Sequence, residues 1–196
     1  MHYIVLGHLI ASPIPTHHRA ASNKVSQLVA FISIVALTAS AVEICFHANT
    51  LSCSGTSTCC KNVGSNTCCN AGASAVGYSI KYKSLPNLTT AQAWTVHNCA
   101  SYETGIKTFL NGPGDRCWTG GGTRAPSAVW TYGTNGRLIG TSSPSGDCQD
   151  VDTFRYTDGN GVEQDISITA ESTFEVLQAL VDAGDFDALA ALHASN

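Results

Sequence analysis

Charged residues are scarce in this chain: they make up 12% of its 196 residues, whereas 43% are hydrophobic. Disordered chains show the opposite balance, with high charge and little hydrophobicity, so the composition predicts a folded protein with a packed core. The length allows one domain, or one domain with an appendage. With a formal net charge of −4, no nucleic-acid partner is expected.

A long apolar run is also missing, because the run at residues 28–37 falls short of the roughly 20 apolar residues that a membrane-spanning helix needs. Lys24 precedes this run and small residues follow it at 39–41, which is the pattern of a cleaved signal peptide. We therefore predict a leader over residues 1–41 and a secreted, extracellular protein. A second apolar stretch at residues 1–11 does not fit a simple signal peptide and indicates a wrongly assigned gene start. The alternative, which the marginal length of the run at residues 28–37 allows, is an uncleaved membrane anchor, and a membrane partner is expected only in that case.

The cysteines lack the two Cys-x-x-Cys pairs that mark a cytosolic zinc site, and adjacent cysteine doublets fit tetrahedral zinc poorly. All nine lie beyond the predicted leader, as expected of disulfides formed in an oxidising compartment. Because nine is odd, one cysteine should stay outside the bridges, and we expect Cys45 because it lies nearest to the new N-terminus. The connectivity of the other eight stays open. The cysteines expected in disulfides are Cys53, Cys59, Cys60, Cys68, Cys69, Cys99, Cys117 and Cys148.

Apolar periodicity is nearly absent from residues 42–72, so this cysteine-rich segment is predicted to be irregular and held together by disulfides. Residues 73–168 instead carry short alternating segments that predict the strands of an antiparallel β domain. The clearest is 76–83, whose Val, Ile and Tyr residues share one face. The other predicted strands are 92–96, 106–110, 127–132, 137–141, 153–157 and 162–168.

Turn signals separate these strands, and both Asn135-Gly136 and residues 158–161 suit the positive φ angles of tight hairpins. Several short strands with no helix between them predict a mainly β fold, an antiparallel, Greek-key-like sandwich or barrel. The tail at residues 169–196 changes to a helical period. It is predicted to be a helical hairpin that packs on one face of the sheet.

Capping signals place the ends of these helices. Thr169 or Ser172 is expected to cap the first helix, and Ser172 with Glu175 three residues later fits a capping box. Gly184 should end that helix, and Asp185 should cap the second.

The two parts of the predicted mature chain differ in charge. Residues 42–146 carry seven Lys and Arg against three acids, whereas residues 147–196 carry eleven acids against Arg155 alone. The acids either solvate the helices or dock on the basic part of the chain. At 0.1 M salt, surface charges more than about 10 Å apart are largely screened from each other, so we favour the alternative in which the acids solvate the helices.

Catalytic signatures are missing as well. No Gly-x-Ser-x-Gly elbow is present, and the histidines beyond the leader (His47, His97 and His193) show no spacing typical of metal ligands. Carboxylate pairs for glycan hydrolysis are defined by their distance in space, so a chain with fourteen acids does not reveal one. The sequence therefore identifies no catalytic residue, and no cofactor is expected.

Hard oxygen ligands around the last hairpin have a spacing that could hold calcium. The twelve-residue loop with its bidentate glutamate is missing, and turn chemistry explains the same residues equally well, so no metal site is predicted. The calcium candidates are Asp150, Asp152, Asp158 and Asn160. Separately, Asn87 begins a sequon that a loop of an exported protein could carry as a glycan.

Aromatic side chains are the remaining candidates for ligand contacts. Trp118 follows Cys117 and precedes a glycine-rich loop at residues 119–123, so it could stack on a sugar ring or a partner surface. The alternative, which we favour, is that Trp118 packs in the core over a disulfide. Trp94 and Tyr132, both near or within predicted strands, are further ligand-binding candidates.

Cysteine doublets, aromatic residues and a glycine loop follow one another in the order Cys53, Cys59-Cys60, Cys68-Cys69, Gly77-Tyr78-Ser79, Ala93-Trp94, Cys99, 117–122 and 127–130. Over nearly the whole predicted mature chain, this order resembles small secreted cysteine-rich proteins of fungi. That resemblance implies secretion but no activity, because those proteins have none established as a class. The segment from Trp94 to Trp130 is also similar to βγ-crystallin-type domains, including killer-toxin-like ones, which implies a Greek-key fold.

These observations favour a secreted, disulfide-rich, non-enzymatic interaction protein that resembles effectors, toxins or wall-binding proteins. Its expected partner is a cell-wall glycan or an extracellular protein. The alternative is a small secreted hydrolase that acts on glycans through a carboxylate pair brought together by the fold. A pocket lined by at least two ionisable groups with shifted pKa values would favour the hydrolase.

Overall fold

The computed structural model describes residues 41–99, 110–133 and 148–195. These residues contain eleven β-strands and two α-helices, and none of the helices among them has the length and apolar character to cross a membrane. The strands are β1 (Val42–His47), β2 (Ser57–Val63), β3 (Cys69–Asn70), β4 (Ser79–Leu85), β5 (Thr89–Trp94), β6 (Leu110–Asn111), β7 (Gly114–Thr119), β8 (Ser127–Tyr132), β9 (Gln149–Asp150), β10 (Thr153–Thr157) and β11 (Glu163–Ser167). The helices are α1 (Phe174–Ala183) and α2 (Phe186–Ser195).

A six-stranded antiparallel sheet in the order β11-β10-β2-β1-β4-β7 forms one layer. Ile44 of β1 lies opposite Tyr82 of β4, and both side chains are fully buried on the inner face of the sheet. Because side chains alternate along a strand, the next pair, Cys45 and Lys81, lies on the outer face. The sheet therefore has one apolar and one polar face.

A five-stranded sheet in the order β6-β5-β8-β3-β9 forms the second layer, in which only β3 and β9 run parallel. The main core lies between the two sheets, where Tyr82 and Trp118 of the first sheet pack with Ala93, Ala128 and Trp130 of the second. Large side chains facing small ones allow the layers to interdigitate. The predicted antiparallel β fold is confirmed, and the described parts of the two sheets form a sandwich rather than a closed barrel.

The helical hairpin of α1 and α2 packs on the inner face of β10 and β11, as predicted. Leu177 and Leu189 are fully buried there against Phe154, Tyr156 and Ile166. This second cluster of apolar side chains covers the part of the six-stranded sheet that lies next to the main core.

The helix ends agree with the sequence in part. Gly184 ends α1 at a φ of 71°, and Asp185 caps α2 by accepting a hydrogen bond from the backbone N–H of Ala188 at 3.1 Å. The predicted capping box is wrong, because Thr173 occupies the N-cap position of α1 and makes no side-chain capping bond. The hydroxyl of Ser172 instead donates a hydrogen bond to the backbone carbonyl of Ser167, at the end of β11.

The prediction of an irregular segment at residues 42–72 is wrong. β1 and β2 form an antiparallel pair at the centre of the six-stranded sheet, and β3 belongs to the second sheet. The buried cysteines explain the error, because Cys59 and Cys60 are both 0% exposed and occupy positions that apolar residues normally fill.

Five predicted strands coincide with or overlap observed ones, and they are 76–83 (β4), 92–96 (β5), 127–132 (β8), 153–157 (β10) and 162–168 (β11). The strand predicted at 92–96 is displaced, because β5 begins at Thr89 directly after a turn in which Leu88 adopts a φ of 54°. The Asn135-Gly136 hairpin and the strands at 137–141 and 106–110, except for Leu110, lie outside the described residues.

Candidate functional site

Trp118 lies in the core rather than at the surface. β7 alternates between faces, so Cys117 is exposed while Trp118 packs between the sheets at 1% exposure, and Trp94 is 4% exposed. Neither indole has a face open to a ligand, so the stacking role is wrong for these two residues and the core interpretation of Trp118 is correct. Tyr132 is 48% exposed, with its ring centroid 5.4 Å from that of Trp130, and its role as a ligand contact stays a prediction.

The protein's own donors occupy the calcium candidates. Asp158 Oδ1 accepts the backbone N–H groups of Asn160 and Val162, both at 2.9 Å, and this closes the turn between β10 and β11. Asp150 and Asp152 accept hydrogen bonds from neighbouring side chains. Turn chemistry therefore accounts for Asp158, and side-chain hydrogen bonds engage Asp150 and Asp152.

Four disulfides cross-link the described residues: Cys45–Cys59, Cys53–Cys117, Cys60–Cys69 and Cys68–Cys99. The prediction that Cys45 stays outside the bridges is wrong, because Cys45 lies within a central strand directly opposite Cys59. Cys148, which was expected in a bridge, lies outside these four. With Glu43, the Cys45–Cys59 pair forms the only cluster of three metal-type ligand groups among the described residues, but disulfide sulfurs are not thiolate ligands.

The side chains of the six-stranded sheet that point away from the core form a surface that we call the polar outer face. The members on which the site depends are Glu43, Cys45, His47, Ser57, Cys59, Lys61, Lys81, Lys83, Arg155, Thr157, Glu163 and Asp165. These residues include three carboxylates, four cations and one buried histidine. The sequence had singled out none of these carboxylates.

Arg155, which is 8% exposed, organises the polar outer face. Its Nε and Nη2 donate to Asp165 at 2.7 and 2.8 Å, and its Nη1 and Nη2 donate to Glu43 at 3.0 and 2.8 Å. Burial disfavours the charged guanidinium, but hydrogen bonds and charge attraction from the two carboxylates outweigh burial and raise the pKa of Arg155. Such forked pairs fix orientation as well as charge.

Two lysines extend this network. Lys83 Nζ lies 3.5 Å from a carboxylate oxygen of Glu43 and 3.4 Å from one of Glu163, and Lys61 Nζ lies 2.8 Å from Asp165. Burial alone would raise the pKa of Asp165, but the guanidinium and Lys61 lower it to about 2. The acids of β11 thus dock on the basic part of the chain, whereas the acids of α1 and α2 are exposed, as the solvation hypothesis predicts.

A depression of about 230 Å³ lies on the polar outer face, and we call it the His47 depression. His47 lines it at 4% exposure, and neither ring nitrogen has a hydrogen-bond partner among the described residues. Burial lowers the pKa of His47 to about 4, and the charge of Lys81 lowers it further. The nearby backbone of Thr56 and Ser54 raises the pKa of His47 in part, although neither residue forms a hydrogen bond of normal geometry with the ring. The imidazole is therefore neutral at pH 7.

Sequence reasoning missed most of this site. His47 was noted only as a histidine without metal spacing, and Arg155 only as the single cation of the acidic tail. One usable signal was the position of Arg155 between Phe154 and Tyr156, two fully or nearly buried residues of β10. A lone cation within an apolar strand indicates a carboxylate partner on an adjacent strand.

The sequon lies at an exposed turn. Asn87 is exposed between β4 and β5, whereas Thr89 is 0% exposed and donates its hydroxyl hydrogen to the carbonyl of Pro86 at 2.7 Å. Glycosylation of Asn87 stays a prediction.

Residues 43–154 match the protein-family model ARB_05566_N, which is described as an N-terminal domain. The match extends from β1 into β10 and contains all four disulfides, in agreement with the resemblance to small cysteine-rich proteins. No curated protein and no solved structure matches the chain, and nothing supports the similarity to βγ-crystallin-type domains. Because the matched residues make up more than half of the sequence, the chain belongs to the ARB_05566_N family.

Proposed function

We propose that this chain is a secreted, non-enzymatic binding protein that acts outside the cell on a wall glycan or an extracellular protein. Four disulfides within one sandwich support an oxidising environment, since such bridges persist outside the cytosol. The apolar run and small residues of the predicted leader support export.

The pairing of the carboxylates on the polar outer face is the observation that carries this proposal. A glycosidase needs one carboxylic acid with a raised pKa, so that it can protonate the leaving group. Here Glu43, Glu163 and Asp165 all pair with cations, and the pKa of Asp165 is lowered to about 2. Carboxylates held in this way support a structural role rather than proton transfer.

The same network favours binding because it makes the surface rigid. Arg155 joins β10 to β1 and β11, while the Cys45–Cys59 disulfide joins β1 to β2. Side chains that are already fixed lose little entropy when they meet a partner, and fixed polar groups can match the hydroxyls of a glycan.

The test is a binding and hydrolysis assay on the protein secreted from cells that express the full chain. We would incubate it with insoluble chitin, β-glucan, mannan and pectin and with whole cell walls, then measure bound protein and released reducing sugar. The proposal expects retention on at least one of these surfaces without new reducing ends. Release of reducing ends that disappears in a Glu43→Gln or an Asp165→Asn variant would instead support the hydrolase.

A further inference from the structure

The His47 depression contains the one cation of the polar outer face that the ion-pair network does not use. Lys83 and Arg155 both line the depression, and both are paired with carboxylates. Lys81 also lines it, yet it makes no ion pair within residues 41–99, 110–133 and 148–195. An ammonium group that lines a cavity and forms no ion pair with a protein carboxylate, although Glu163 lines the same cavity, is suited to an anionic ligand.

His47 adds hydrogen-bonding capacity to the same depression. A neutral imidazole offers one N–H donor and one nitrogen acceptor, and both are unused by the described residues. Buried polar atoms normally have a partner, so this ring indicates a bound water or ligand. A sugar hydroxyl both donates and accepts hydrogen bonds, and therefore it matches either nitrogen.

We propose that the His47 depression binds one uronic-acid residue of an acidic glycan, with the carboxylate at Lys81 and ring hydroxyls at His47 and Ser54. This inference rests on the proposed function and names its ligand class. The volume of about 230 Å³ lies below the roughly 300–1,000 Å³ of sites for drug-sized ligands, so it suits a single sugar residue. Glu163 also lines the depression and repels an anion in proportion to its charge, so a singly charged uronate is disfavoured less than a doubly charged phosphate.

The ligand test compares two forms of one sugar chain. Oligogalacturonate and its methyl ester share the same hydroxyls, but only the free acid carries carboxylates. Calorimetric titration of the full secreted protein should show that the free acid binds at least tenfold more tightly than the ester. Binding of the free acid should also weaken between 50 mM and 500 mM NaCl, because the ammonium lies near solvent.

Variants locate the site. Lys81→Met removes the charge and should reduce the affinity for oligogalacturonate at least tenfold. The matched control is Lys61→Met, because Lys61 belongs to the same face but pairs with Asp165 and does not line the depression. His47→Phe should also lose affinity, whereas His47→Gln should retain part of it because an amide donates and accepts. Thermal melting of each variant shows whether it is folded.

Three outcomes would overturn the inference: equal binding of acid and ester, a folded Lys81→Met protein that binds like the original, or no oligogalacturonate binding. If oligogalacturonate fails but another glycan or a cell wall retains the protein, only the ligand class is wrong. If no glycan, wall or cell surface retains it, the proposed function itself fails.

Discussion

Among single residues, Arg155 is the side chain whose loss should cost the most on the polar outer face. Without it, Glu43 and Asp165 would lose the guanidinium that joins them and would each keep one lysine, Lys83 for Glu43 and Lys61 for Asp165. Removing one partner of a buried ion pair costs about 3–5 kcal/mol. We expect Arg155→Met to lower the free energy of unfolding by about that amount in urea denaturation at pH 7. Arg155→Lys should lose less, since it keeps the charge without the fork.

Arg124 provides the matched control. It is exposed, and its guanidinium lies 4.2 Å from the ring centroid of Tyr78. An exposed cation–π contact contributes about 0.5–1 kcal/mol, so Arg124→Met should cost no more than that. If the variants Arg155→Met and Arg124→Met were equally stable, the central role of Arg155 would be wrong.

His47 should make stability depend on pH. Its pKa is about 4 in the folded protein and 6.5 when unperturbed, so between these values the unfolded chain binds a proton that the folded protein does not. Above pH 6.5 the ionisation of His47 does not reduce the free energy of unfolding. As the pH decreases from 6.5 toward 4, His47 lowers this free energy by about 1.4 kcal/mol per pH unit, on the order of 3 kcal/mol in total.

Urea denaturation of the original protein and of His47→Gln, at pH 7 and at pH 4, isolates this contribution. The stability difference between the two proteins should shift in favour of His47→Gln as the pH falls. A difference that stays constant over this range would show that His47 titrates normally in the folded protein.

Trp118 and Tyr132 should respond in opposite ways to truncation. Trp118 is 1% exposed, and replacing a buried tryptophan by alanine costs about 3–5 kcal/mol. Tyr132 is 48% exposed, so Tyr132→Ala should lower stability by less and, if it contacts a ligand, should mainly weaken binding. Chemical denaturation measures the first effect, and retention on the bound surface measures the second. A stable Trp118→Ala protein would contradict the core position.

Among the strands, the disulfides should contribute differently to the free energy of unfolding because they close loops of different length. Cys53 and Cys117 are 64 residues apart, whereas Cys60 and Cys69 are 9 apart. A cross-link that closes a longer loop removes more entropy from the unfolded chain. The Cys53→Ala/Cys117→Ala double variant should therefore lose roughly 1.5–2 kcal/mol more than the Cys60→Ala/Cys69→Ala variant in matched denaturation curves. The reverse order would argue against loop closure as the main effect.

Strands rich in Val, Ile and Tyr could be predicted, and strands rich in cysteine could not. β8 and β10 coincide with the predicted segments because their alternation is carried by apolar and aromatic residues. β2 was missed because cysteines and threonine occupy its buried positions, and these residues are also common in loops. The helical hairpin was predicted because its leucines keep a period near 3.6 residues.

The polar outer face could not be predicted because its members are distant in sequence. Glu43 and Arg155 meet across 112 residues, through a strand order that places β10 beside β2 and β2 beside β1. Alternation indicates which residues share a face of one strand, but the strand order decides which strands become neighbours. His47 is a candidate binding residue because its side chain is buried, and the burial of a single histidine cannot be predicted from the sequence.

For the whole molecule, the small residues at 39–41 predict cleavage directly before β1. β1 begins at Val42, directly after the predicted leader, and Val42 is already 0% exposed. The secreted protein should therefore begin near Val42, and four disulfides should lower its intact mass by about 8 Da relative to the reduced form. Peptide mapping should recover the Cys45–Cys59 pair. Residues 1–41 in the exported protein would contradict the predicted cleavage.

The boundary of the family match falls within the polar outer face. The matched segment ends at residue 154, so it includes Glu43, Lys61 and Lys83 but neither Arg155 nor the two acids of β11. Of the residues named for this surface, Lys61, Lys81 and Lys83 against Glu43 give a net charge of +2 inside the match, and Arg155 against Glu163 and Asp165 gives −1 beyond it. The segment after residue 154 therefore weakens the positive charge of this surface without reversing it. A relative that carried the same domain with a different continuation would present Lys61 and Lys83 without these acids. On such a surface the segment that follows the domain would adjust how strongly the domain attracts an anionic partner, whereas the positive sign would come from the domain itself.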